Sequence, residues 1–133
     1  MKPFAIAYGA ALLAFLIIDG IWLGVVAKSF YANQLGDLLR KNVLALPALA
    51  FYMLYTAGLV FLAVRPGQEG VSLSSVAMYG AVAGFLAYGT YNITNLATLR
   101  DWPALMSYVD MTWGVMLSAM VATISASVLR QFS

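Results

Sequence analysis

Asp19 and Asp110 are each followed three residues later by a tryptophan, as Asp19-Gly20-Ile21-Trp22 and Asp110-Met111-Thr112-Trp113. Both lie inside long charge-poor runs, where an ionisable side chain is expensive unless it is paired or hydrated. A residue one turn away shares the helix face, so each indole can donate to the carboxylate or form a wall beside it. Such carboxylates can take up protons, bind cations, or act together as general acid and base. Aromatic walls add cation–π attraction for an amine or quaternary ammonium. With no Lys or Arg deep in any span, the two acids are expected to share a proton, favour cations or neutral hydrogen-bonding molecules, and repel anions.

A second polar group lies at Tyr88, Asn92 and Asn95, with Tyr91, Thr94 and Thr98 adjacent. Positions i, i+4 and i+7 share one helix face, so the tyrosine and the two amides are expected to point the same way. Trp22 and Trp102 read either as walls of a site or as anchors at the membrane interface; Trp113 is too deep to be an anchor. The ligand or proton site expected from these residues comprises Asp19, Asp110, Asn92, Asn95, Trp22, Trp113, Tyr88, Tyr91 and Trp102, with Thr112 beside it. Paired Asp with Asn92 or Asn95 could hold Mg²⁺, but no recognised metal-ligand spacing is present, and neither metal nor cofactor is expected. Complete absence of His and Cys closes zinc–thiolate sites, disulfides, histidine triads and imidazole relays.

The elements that must position these groups follow from composition. Of 133 residues 63% are hydrophobic and only 9% charged, far below the roughly 25% charge of a soluble domain. A span needs about 20 mostly apolar residues. Taking Asp19 and Asp110 as lying inside spans, the remaining charges delimit four runs, at about 3–27, 43–64, 71–99 and 103–129. The runs are continuously apolar, which excludes the alternation of barrel strands. The first is expected to be a retained span rather than a cleaved leader, because its apolar stretch continues past Asp19 to full span length. The fold class is therefore all-α, an integral membrane four-helix bundle forming one domain over 1–133.

Among the connections, Lys28 to Asn42 has the 3-to-4 spacing of a short interfacial helix, read either as a spacer or as a lid or lipid contact. Arg65 to Gly70 is a turn, and Arg100-Asp101-Trp102-Pro103 is so short that spans three and four must form an antiparallel hairpin. Pro47 is a candidate bend in span two. Asp19 lies near the end of span one and Asp110 near the start of span four. Both therefore sit roughly 10 Å below the same interface, at ~1.5 Å per residue. Small residues mark the faces where helices approach: Gly80 and Gly84 in span three, the series Asp110, Gly114, Ser118, Ala122 and Ala126 in span four, and more weakly Gly20 and Gly24 in span one. Lys2, Arg65 and Arg130 on one side balance Lys28, Arg40, Lys41 and Arg100 on the other, so loop charge assigns no orientation and fits a dimer inserted both ways. The basic residues form no cluster, and nucleic acid is not expected as a partner.

The run Asp19-x-x-Trp22, the segment Tyr91-Asn92-Ile93-Thr94-Asn95-Leu96-Ala97-Thr98-Leu99 with the following Trp102, and Asp110-x-x-Trp113-Gly114 resemble the marks of a bacterial family of four-span membrane proteins, catalogued as domain of unknown function 2177. The resemblance implies a small multi-pass protein of the bacterial inner membrane and carries no catalytic residues with it. Three functions compete. The first is a small bundle that binds or transports a proton-coupled cationic or neutral polar small molecule. The second is an accessory or assembly subunit of a larger membrane complex, docked through the small-residue stripes. The third is a membrane enzyme acting on lipid-type substrates with the carboxylate pair as acid and base. A pocket open to Asp19 and Asp110 favours the first, and sealed carboxylates favour the second.

Overall fold

The computed structural model describes residues 2–65 and 70–132. Its helices are α1 (Lys2–Ile21), a short α2 (Lys28–Leu35), α3 (Ala45–Leu59), α4 (Leu73–Thr98) and α5 (Ala104–Gln131). One π-helical turn, Trp22–Val26, prolongs α1, and another, Val60–Val64, prolongs α3. No strand occurs among the described residues, and four of these helical stretches are long and apolar enough to cross a membrane. They match the four apolar runs to within a few residues. Residues 66–69 of the expected turn lie outside the described residues.

Helix ends follow local chemistry. Ser72 caps α4, its hydroxyl accepting from the Ser75 amide at 3.2 Å. Pro103 sits immediately before α5, where a missing N–H breaks no helical bond. Because α3 starts at Ala45, Pro47 falls in its first turn and likewise costs no intrahelical bond. The interfacial segment is shorter than its spacing suggests. Helix α2 ends at Gly36, whose φ of 54° lies in the left-handed region that favours glycine, and a single tight turn, Gly36–Leu38, follows.

The tightest seam joins α4 and α5. A Cβ built on Gly80 would lie 2.7 Å from the Ser118 carbonyl and 2.9 Å from the Ala122 side chain. One on Gly84 would collide with the Gly114 carbonyl, and one on Gly114 would enter the ring of Tyr88. The two stripes read from the sequence thus interlock in antiparallel order, Gly80 and Gly84 against Ser118 and Gly114, then Tyr88 over Gly114. Where lipid replaces water there is no hydrophobic drive between helices, so this close approach supplies the packing contact instead. Helix α1 lies on a neighbouring face of α5 through Ala7, Ala11 and Phe15, all fully buried, and Ser125 donates to the Ala7 carbonyl at 2.7 Å.

Gly20 and Gly24 behave differently from the stripe expected of them. Both are exposed with open space around the Cβ position. Gly20 lies one position past the buried stripe of Ala7, Ala11, Phe15 and Asp19 and so faces outward, and Gly24, four residues on, is exposed as well.

Helix α3 packs mainly on α1. Its backbone stands away from α4 along Ala45–Leu59 and meets it through Val60–Val64. The structure consequently has a dense three-helix side, α1, α4 and α5, and a looser side where α3 leans outward from α4.

Candidate functional site

Asp19 closes the buried stripe of α1 that begins with Ala7, Ala11 and Phe15, and is only 5% exposed. Its two oxygens accept from the Tyr52 hydroxyl of α3 at 2.7 Å and the Trp113 indole of α5 at 2.9 Å. Phe15 packs edge-on against Tyr52, with ring centroids 5.0 Å apart. The carboxylate therefore joins three helices through neutral donors, in a pocket walled by rings.

Asp110 occupies the second turn of α5 and is partly exposed. Its carboxylate accepts from the Asn92 amide of α4 at 2.7 Å and from the Tyr31 hydroxyl of α2 at 2.7 Å. Asn92 is fully buried; its amide also donates to the Tyr88 carbonyl at 2.9 Å, while its own Oδ1 has no hydrogen-bond partner. Tyr31 in turn accepts from the Trp22 indole at 3.1 Å. Burial, seconded by the Asp110 carboxylate and opposed by the Trp22 donor, holds the Tyr31 hydroxyl above the ordinary phenol range, so at neutral pH it is a hydrogen-bond donor to Asp110.

Trp22 and Trp113 stack on one another at 4.3 Å with their planes 10° apart. One chain of side chains thus runs Asp19, Trp113, Trp22, Tyr31, Asp110. The Asp-x-x-Trp repeat has a specific geometric outcome: Trp113 serves the aspartate of the other helix, and Trp22 reaches the other aspartate through a tyrosine. The two carboxylates are linked through the stacked indoles and Tyr31, and no hydrogen bond joins them directly.

Beside Asp110 opens a cleft of about 300 Å³ lined by Phe51, Ala87, Tyr88 and Tyr91. Tyr88 and Tyr91 thus lie where the helical spacing places them, with Tyr91 half exposed. Asn95 does not join; its side chain makes no hydrogen bond among the described residues, while its carbonyl closes the helix end on the Leu99 amide at 2.8 Å. Position i+3 is rotated about 60° from the Asn92 direction, enough to leave the seam. Trp102 packs edge-on against Tyr91 at 5.5 Å and has no bond to either aspartate; its indole nitrogen is buried without a partner. Thr94, Thr98 and Thr112 are exposed and return their hydroxyls to carbonyls of their own helices, the usual way to satisfy a hydroxyl in lipid. Among the described residues no three His, Cys, Asp or Glu side chains gather into a metal-binding group.

Sequence reasoning missed Tyr31 as a ligand of Asp110. It had counted as an apolar member of the interfacial helix. The bond from Tyr52 to Asp19 and the 2.6 Å contact of Tyr55 with Ser118 are equally hidden in the sequence. A tyrosine fits both the apolar and the hydrogen-bonding pattern, and these contacts span 33, 63 and 79 positions of chain.

The model of a family described as predicted membrane protein, DUF2177, matches residues 4–127. The chain belongs to this family. The match takes in α1 to α4 and most of α5, and with them both Asp-x-x-Trp motifs. For a DUF2177 member the four apolar helices are accordingly those of a membrane protein, with the lipid bilayer as its surroundings. No curated protein and no solved structure matches the chain.

Proposed function

We propose that this protein, a single four-span domain of the bacterial inner membrane, binds a small cationic or neutral hydrogen-bonding molecule at Asp110, exchanging it for a proton. One contrast supports this reading: both aspartates are held by two neutral donors, but Asp110 lines a cleft while Asp19 is only 5% exposed. A carboxylate held by neutral donors has no counter-ion of its own among the described residues, so a cationic ligand can supply one, and a low-dielectric wall strengthens that attraction. Tyr88 and Tyr91 offer ring faces to a cation in the same cleft. Transport would require the cleft to open alternately to the two sides; binding requires only what is described above.

Burial of Asp19 favours a second reading in part. A carboxylate tied to Tyr52 and Trp113 suits a structural post, as an accessory subunit or a homodimer would need. It weakens the reading as an enzyme using both acids, since a general acid or base must reach its substrate.

The test is titration of the purified protein with butylamine and, as the neutral comparison, butanol, followed by tryptophan fluorescence, since Trp22 lies one side chain from Asp110. Saturable binding of the amine that disappears in Asp110→Asn and survives in Tyr91→Phe is expected. Binding that is non-saturable, or indifferent to Asp110→Asn, overturns the proposal in favour of the subunit reading.

A further inference from the structure

The cleft at Asp110 is the end of a longer feature. Phe51 and Ala87 line it and also line a shallower groove of about 470 Å³ that continues between α3 and α4 past Tyr55 and Gly58 to Leu62. The groove exists because α3 stands off from α4 along Ala45–Leu59, and it closes where Val60–Val64 meets α4. From Phe51 to Leu62 it runs about 16 Å along α3, at ~1.5 Å per residue. Its floor has no Cβ at Gly58, where nothing lies within 4 Å. Apart from Tyr55 its walls are apolar, and Asp110 is the one charged residue among the described residues that line the groove and the cleft at its end.

The geometry points to a single-chain amphiphile with an amine head as the ligand: its head pairs with Asp110, its chain lies in the α3–α4 groove, and it enters sideways from the bilayer. This rests on the reading of Asp110 as a cation-binding residue and names the class of molecule bound. Charge and continuity both argue for it. A water-borne cation would have to pass the apolar walls formed by Phe51 and Tyr91, both about half exposed, whereas a bilayer amphiphile already has its chain at that depth. In lipid the chain itself gains little by leaving its neighbours, because tails are as apolar as the groove. Selectivity must therefore come from the head, and the groove acts by giving that head a route. A phosphate-headed lipid is disfavoured by the same carboxylate.

The test is photo-crosslinking in nanodiscs of neutral lipid, using a long-chain primary amine with a diazirine at the chain end and peptide mapping by mass spectrometry. A second lipid-facing groove, lined by Ile6, Leu13, Ile17 and Ile124, reports the labelling given by bulk lipid. The expected result is labelling around Leu54, Leu62 and Leu86 in excess of that second groove. Asp110→Asn should reduce the excess by about tenfold, the weight of one charge-assisted hydrogen bond. Gly58→Leu should block it as well while leaving butylamine binding unchanged, and Ala83→Leu on the opposite wall serves if the first variant fails to fold. Equal labelling of both grooves, or labelling indifferent to Asp110→Asn, overturns the inference. If butylamine still binds in that case, the small-cation reading of Asp110 stands; if neither amine engages Asp110, both fall.

Discussion

Two aspartates with the same count of hydrogen bonds end in different surroundings. Asp19 is enclosed by α1, α3 and α5, its donors Tyr52 and Trp113 both drawn from spanning helices. Asp110 takes one donor from the buried face of α4 and the other from α2, a short helix with no buried residue of its own, and keeps an edge on a cleft. Hydrogen-bond satisfaction alone therefore does not distinguish a structural carboxylate from an available one. What differs is the packing of the elements that carry the donors. A donor on a packed helix seals the acid, whereas one on an interfacial helix can leave.

The strongest way to break the contrast is to replace each acid by alanine. Asp19→Ala strands two donors in a closed pocket and should destabilise the fold by about 2–4 kcal/mol, at roughly 1–2 kcal/mol per orphaned group. Asp110→Ala should cost about half as much, because α2 can swing away and release Tyr31 to the interface, leaving the buried Asn92 amide as the orphaned donor. Reversible unfolding in mixed micelles measures both, and equal losses would erase the distinction. Next in size is Gly114→Ala, which drives a methyl into the Tyr88 ring beneath Asp110. Overpacking predicts about 1–3 kcal/mol, while Gly20→Ala, with open space around it, should be neutral or slightly stabilising in the same assay.

Removing single hydroxyls sharpens the comparison further. Tyr31→Phe should leave global stability within about 1 kcal/mol, the usual worth of one hydrogen bond, yet accelerate amide exchange across Lys28–Leu35. Tyr52→Phe should leave exchange in that segment unchanged. If Tyr31→Phe leaves exchange in α2 as slow as before, the tether is something other than this hydroxyl. The smallest effect concerns pH. Because the Tyr31 hydroxyl is held above its ordinary value near 10.0 by burial, its contribution is complete below that value and fades only as pH rises beyond it. Exchange protection of α2 should thus be flat from pH 6 to 9, after correction for intrinsic rates, and decline in more alkaline solution; a fall near pH 7 would assign the tether to another group.

How much of this was readable from the chain depends on the type of residue. Charges inside apolar runs are rare enough that Asp19 and Asp110 announced themselves, and their similar depth followed from the spans alone. The seam of α4 and α5 was equally legible, since glycine at four-residue intervals permits close approach and few other patterns do. Asn92 lay on the same stripe and was placed correctly at the seam. Asn95, one turn further, was not, because a three-residue step drifts off a four-residue stripe. Tyr31 and Tyr52 were illegible as donors: a phenol suits an interface, a core or a carboxylate equally well, and only tertiary placement decides. Gly20 and Gly24 failed for a different reason: the pair sits one position off the stripe of Ala7, Ala11, Phe15 and Asp19 that is buried, so its small residues face outward.

The π turn at Trp22–Val26 has a consequence of its own. The Ala27 amide reaches back to the Trp22 carbonyl at 2.7 Å, so the backbone holds one residue more than an α-helix would in the same turn. Were the same residues wound as a plain α-helix, without this wide turn, everything downstream would revolve by about 100°. The aromatic tether would then be aimed away from its acid although every side chain of the constellation remained present. Spacing, as much as residue identity, is what lets Tyr31 and the carboxylate find one another.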